Sequence, residues 1–440
     1  MNKLSKIVML ATAVTSILAS ALLSSTAAAV NPVPGSKQQQ PLLLQNAMVH
    51  SVSAAPVKQD VLLVDGKIAA IGANLAVPAD ARQLDLTGKH LYPGLIALIN
   101  QLGLIEVEAV RATRDDRETS STNPDLQVQI AYNADSVVIP TIRSNGFSHS
   151  LIYPDGAMLT GRSALMQLDA WNWQDATVQA NVGLHVNWPR MSIQNGWWVR
   201  DSAEKQRENQ QKQLAELHRY FEQAHAYYLA EQAGLNSGKD SRWHAMLTFF
   251  AGELPLFVHA DDPRQIRQAM QLADKYQVRL VIVGGRDSWR LADELAKAKV
   301  DVIYTAPYGL PTRGDEAYDQ AFSVPGQLRQ AGVRIALSLD GFWDTRNLVF
   351  AAGHVTRYGL STADALRALT LDAAAIAGVS DSLGSIEVGK SASLVVSDGD
   401  IFDYRGHKIE HLWIDGREVD LTNHHKQLHE RFKQRYNSAE

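Results

Sequence analysis

The chain has 440 residues, 45% hydrophobic and 20% charged, with no cysteine and a formal net charge of −5. Without cysteine there is no disulfide framework, thiolate-bound zinc, iron–sulfur centre or thiol nucleophile. The 42 Lys and Arg against 47 Asp and Glu, with no long basic run, argue against nucleic-acid binding, and the length suits two or three ordinary domains or one α/β barrel with an appendage.

The first element reads as a leader. Lys3 and Lys6 precede an apolar run at residues 7–23, followed by Ser24, Ser25 and Thr26 and then Ala27, Ala28 and Ala29. This charged, apolar, small-residue order is that of a secretory signal peptide, residues 1–29, cut after Ala29, and it predicts a periplasmic or secreted protein. The competing reading is a membrane anchor. Thr12, Thr15, Ser16 and Ser20 count against it, because they interrupt a run already short for a spanning helix. No later segment holds the roughly eighteen uninterrupted apolar residues of such a helix, so no stable membrane insertion is expected. Residues 30–41 are polar, contain proline and read as a flexible lead-in.

Residues 42–91 are rich in strand signals. Residues 61–64 and 67–71 flank Asp65-Gly66, the pair that a tight two-residue hairpin needs because both turn positions take positive φ. Residues 384–421 repeat the pattern: 394–396 read as a strand, and 411–414 pair with 417–419 across Asp415-Gly416. Neither segment alone buries enough apolar surface for a stable fold. The expectation is one small composite β-sandwich domain built from both chain ends; the alternative is two independent hairpins capping the middle. Residues 422–440 read as a polar tail carrying His424 and His425.

The middle, residues 92–383, alternates strand and helix. Residues 95–99, 146–153 and 182–188 read as strands. Residues 204–231 form a long charged helix with Leu214, Leu217, Phe221, Ala224 and Tyr228 on one stripe, read as an insertion at about 201–232 packed on the exterior, or else a partner-binding helix. From 254 onward the rhythm is plain: strands at 254–259, 278–283, 300–304 and 333–339 are separated by helices. One helix opens at Asp262-Pro263 and another at Ser361 with Asp364 three residues on. Nearly continuous apolar strands alternating with helices predict a parallel sheet covered by helices.

Leu91-Tyr92-Pro93-Gly94-Leu95-Ile96, entering the middle after a small sheet domain, resembles the amidohydrolase superfamily. So does Leu383-Gly384-Ser385-Ile386-Glu387-Val388-Gly389-Lys390-Ser391-Ala392-Ser393-Leu394-Val395-Val396. The imidazolonepropionase-like branch is the most similar, over residues 42–421. The resemblance implies a (β/α)8 TIM-like barrel, a divalent metal (zinc first) at the strand ends, no organic cofactor, and hydrolysis of amide or other carbon–nitrogen bonds in small cyclic or peptide-like substrates. Such chemistry needs a metal that lowers the pKa of bound water and polarises the carbonyl.

The family places two histidines one residue apart after the Pro-Gly motif. Here those positions hold Ile99 and Gln101, with Ala97 where an Asp usually precedes them. His259 matches the fifth-strand His, and Asp340 the eighth-strand Asp that binds metal or activates water. The sixth-strand His is replaced near Gly284-Gly285. The expected metal set is therefore His259 and Asp340, helped by His185 or Gln101, with Asp340 catalytic; His149 is a further histidine on a strand. Arg111 and Arg114, in the charged segment after the first barrel strand, are candidates for holding a substrate carboxylate. Trp171, Trp173, Trp188, Trp197 and Trp198 line a pocket or pack a core. Two readings follow. One is an exported hydrolase with an altered metal site. The other is a catalytically inactive relative that binds small molecules or pairs with an active paralogue. A homo-oligomer is compatible with both.

Overall fold

A computed structural model describes residues 33–437, apart from 157, 236 and 237. The expected leader and its cleavage point after Ala29 lie outside the described residues. Among the described residues, no helix is long and apolar enough to cross a membrane.

Five strands come first: β1 (Leu42–Val49), β2 (Val57–Val64), β3 (Lys67–Gly72), β4 (Arg82–Asp85) and β5 (His90–Pro93). The middle carries β6 (Leu95–Asn100), β7 (Phe147–Ile152), β8 (Leu159–Arg162), β9 (Ala164–Gln167), β10 (Thr177–Gln179), β11 (Leu184–Asn187), β12 (Leu256–Ala260), β13 (Leu280–Gly284), β14 (Asp301–Tyr304) and β15 (Ile335–Leu337). The far end adds β16 (Leu394–Asp398), β17 (Lys408–Ile414) and β18 (Arg417–Glu418).

Strands from both chain ends share one sheet, in the order β18-β17-β16-β5-β1-β2-β3, with β4 paired to β1. The two Asp-Gly turns have the positive φ that a primed turn requires, 48° and 77° at Asp65 and Gly66 and 48° and 72° at Asp415 and Gly416. They also meet each other: a Cβ on Gly416 would lie 2.7 Å from Gly66 Cα, so glycine is needed for space as well as for φ. Within the segment read as a flexible lead-in, residues 33–41 are described and are held in place. The Gln38 amide donates to Leu63 O and accepts from Gly66 N, and Gly35 N donates to Asp169. Each bond satisfies a polar group that a free segment would leave to water.

The middle forms two sheets, β10-β9-β7-β6 and β15-β14-β13-β12-β11-β8. The pairs β6–β7 and β11 through β15 are parallel, as the continuous apolar strands predict. The run expected to be parallel throughout is broken at 159–167: β8 and β9, separated by Ser163, lie antiparallel to their neighbours. This stretch reads Thr160-Gly161-Arg162, with Gly161 at φ 134°, and lacks the apolar continuity that marks a buried strand. At the other end, the Ser338 hydroxyl donates to Leu98 O at 2.6 Å, bringing the exit of β15 to β6.

One face of these strands buries Ile96, Leu98, Phe257, Val281, Val283, Ile303 and Ala336 as a single cluster. The opposite face packs on helices such as Pro263–Tyr276, opened by an Asp262–Gln265 capping box. The helix Ala203–Gln232 is capped by Ser202 and buries Leu217, Tyr220, Phe221 and Ala224. Phe221 packs on Phe249 and Tyr276 at 5.6 and 6.0 Å, so this helix lies outside the Pro263–Tyr276 layer.

Candidate active site

The strands β11 to β15 run parallel, so their carboxyl ends point the same way, and the loops that follow them enclose a cavity of about 700 Å³. Burial of both faces fixes the strand register and places His259 beside Asn187 and Phe257 beside His185. Side chains two apart share a face. His259 therefore lies at the cavity and His185 one layer beneath it.

His259 and Asp340 both line this cavity. His259 is half-buried, and burial lowers its pKa to about 4, so it is neutral at pH 7. Asp340 opens to the cavity and receives a hydrogen bond from the Thr305 hydroxyl; partial desolvation and nearby Asp261 raise its pKa. His185 is fully buried and does not line the cavity. Its Nδ1 lies 3.0 Å from His259 Nε2, and burial and His259 lower its pKa. Tyr153 stacks on both imidazoles at 5.1 and 4.9 Å.

Gln101 is engaged elsewhere, in a hydrogen bond with the Tyr153 hydroxyl. Ile99 lines the cavity with φ 56°, a genuine outlier for a β-branched residue. At the end of β13, a side chain on residue 284 would have to displace Asp261 Oδ1, 2.7 Å away, and would be strained by φ 97°, so the position favours glycine over a sixth-strand histidine.

The expected metal set does not assemble. Among the described residues, no three His, Asp or Glu side chains converge to hold a metal ion. The facing nitrogens of His185 and His259 are engaged with each other, Gln101 is tied to Tyr153, and Ile99 offers no donor. The residues present do not fit the divalent ion implied by the resemblance.

The substrate-binding expectation also moves. Arg114 forms a bidentate pair with Asp116 at 3.1 and 2.9 Å, and Arg111 donates to Arg114 O; neither lines the cavity. His149 lies buried beside Ser148, away from it. Of the tryptophans, Trp188 lines the cavity while Trp171, Trp197 and Trp198 are exposed.

Among the lining residues not expected from sequence are Tyr153, Arg190, Asp261, Arg286, Asp287 and Arg313. Asp261 follows the end of β12 directly and Arg286 lies two residues past the end of β13, and that position was the available signal. Arg313 is held by Asp287 at 2.8 and 2.9 Å. The Arg286 guanidinium donates to Leu310 O. Among the described residues, Arg190 at the rim makes no hydrogen bond or ion pair, so its guanidinium is available to a ligand anion.

Comparison with known proteins gives a consistent picture. Residues 287–419 match the Amidohydrolase family. An imidazolonepropionase from Sphingopyxis alaskensis is 40% identical over 75 residues, 16% of this chain and 19% of that protein. The amidohydrolase tasK from Hapsidospora irregularis is 21% identical over 435 residues, 86% of this chain and 43% of that protein. The chain thus spans less than half the length of either curated relative. The crystal structure of an amidohydrolase from Thermotoga maritima superposes with a TM-score of 0.74 at 26% identity, over 86% of this chain and 99% of that one.

Proposed function

Because the chain belongs to the amidohydrolase superfamily, we propose that it hydrolyses a carbon–nitrogen bond of a small amide, cyclic amide or peptide-like substrate in the cavity at the ends of β12 to β15. The observation that carries this reading is Asp340, a carboxylate open to a 700 Å³ cavity at the strand ends and hydrogen-bonded by Thr305. Asp340 takes a proton from water as the water oxygen bonds to the carbonyl carbon. The carbon–nitrogen bond then breaks, and the proton passes to the leaving nitrogen. Arg190 at the rim orients an anionic substrate group.

Superfamily members typically depend on a metal. Among the described residues no three such donors converge on one, so the site is read as altered and no step passes through a metal. The strands are read as a barrel closed through Ser163 and Ser338, with the shared sheet as a second domain. The leader is read as an export signal, tested by fractionation of the native protein. The second reading, an inactive binder or partner of an active paralogue, draws support from the His185–His259 contact, which removes the fifth-strand ligand.

The test is turnover of N-acyl amino acids, dipeptides and cyclic amides by the purified protein. Asp340→Asn is expected to lower kcat/KM by about 100- to 10,000-fold. Absence of turnover across the panel, or an Asp340→Asn variant as active as the parent, would sink the first reading in favour of the second.

A further inference from the structure

Two neutral imidazoles whose facing nitrogens lie 3.0 Å apart must share one proton: one nitrogen donates and the other accepts. The hydrogen-bond inventory decides which. His185 Nε2 is buried and has no partner among the described residues. If that atom carried the proton, a donor would be orphaned in the interior, which is rarer and costlier than an under-used acceptor. The proton of His185 therefore sits on Nδ1 and is donated to His259 Nε2. His259, neutral, must then carry its own proton on Nδ1. That nitrogen makes no hydrogen bond among the described residues, and His259, unlike His185, lines the cavity. Tyr153 stacks on both rings and Phe257 on His185, which holds the two ring planes in place.

We propose that His185 is a positioning residue that fixes the tautomer of His259, so that His259 presents its Nδ1–H to the cavity as a hydrogen-bond donor for a substrate carbonyl oxygen or oxyanion, in place of acting as a metal ligand. The proposed use in catalysis rests on the hydrolytic reading of the cavity; the tautomer does not. A fixed donor aimed at a developing oxyanion supplies electrostatic stabilisation without reorganisation.

The test is nitrogen-15 NMR of the histidine-labelled full chain at neutral pH, with His259→Gln and His185→Phe used for assignment. The expected result is a protonated Nδ1 and a lone-pair Nε2 on His259, unchanged by two equivalents of zinc. In His185→Phe, which keeps an aromatic ring between Tyr153 and Phe257, His259 is expected to become a mixture of tautomers. A His259 proton found on Nε2 in the parent would overturn the proposal whether or not the variant folds, and so would loss of these signals to zinc binding. Turnover of the amide panel is scored separately. Turnover with the wrong tautomer overturns this inference alone. The expected tautomer without turnover overturns the hydrolytic reading alone.

Discussion

Glu418 joins strands from the two ends of the chain. Its carboxylate accepts from Arg82 at 2.8 Å and from His411 at 3.0 Å. These bonds, His411 first, hold its pKa at about 2 against an ordinary 4.5, while partial burial works the other way. A folded pKa below the unfolded one means the stabilisation is fully present above about pH 4.5 and is lost as pH falls through about 2. In urea unfolding across that window, the parent should lose stability more steeply than Glu418→Gln. Identical acid profiles would contradict the assignment. At this scale, His259 and Asp340 were legible because each closes an apolar run in the sequence. The contact of His259 with His185 was not, because it depends on the pairing of Asn187 with His259, and nothing local encodes which strands become neighbours. Arg190 and Arg286 escaped notice because residues after a strand end obey no periodic pattern.

Among the elements, the long helix Ala203–Gln232 owes its place to a few aromatic contacts. Most of its surface is polar, and its buried side chains are Leu217, Tyr220, Phe221 and Ala224. Phe221, fully buried against Phe249 and Tyr276, should cost about 3–5 kcal/mol when replaced by alanine. The exposed Leu229→Ala on the same helix should stay within about 0.5 kcal/mol of the parent. Chemical denaturation checks both, and equal effects would mean the helix is held by something other than this stripe. The apolar period made the helix legible almost to the residue. Strands β8 and β9 were not, since Gly161 and the polar residues around it carry no period that competes with loop. Their antiparallel course is set by pairing with β11 and β7.

Across the whole molecule, the two ends of the chain close on each other through the paired Asp-Gly turns. A Gly416→Ala substitution adds a Cβ 2.7 Å from Gly66 Cα and forces φ 72° on an L residue. The backbone conformation alone costs about 1–2 kcal/mol, and the clash adds to it. The predicted result is a lowered thermal midpoint, with Gly66→Ala lowered comparably because its Cβ would meet Asp415 O at 2.6 Å. An unaffected Gly416→Ala would contradict the shared turn. The twin Asp-Gly signals made a common sheet legible from sequence, whereas the metal set implied by resemblance did not survive the geometry. Resemblance carries residue types, but ligation also needs open lone pairs on convergent atoms.

The most direct test of the central claim, carbon–nitrogen hydrolysis driven by Asp340 without a metal centre, is kcat/KM on the best amide substrate before and after exhaustive chelation, in parent and Asp340→Asn. The expected rate is unchanged by the chelator and lowered by about 100-fold or more in the variant. A rate abolished by chelation and restored by zinc would contradict it.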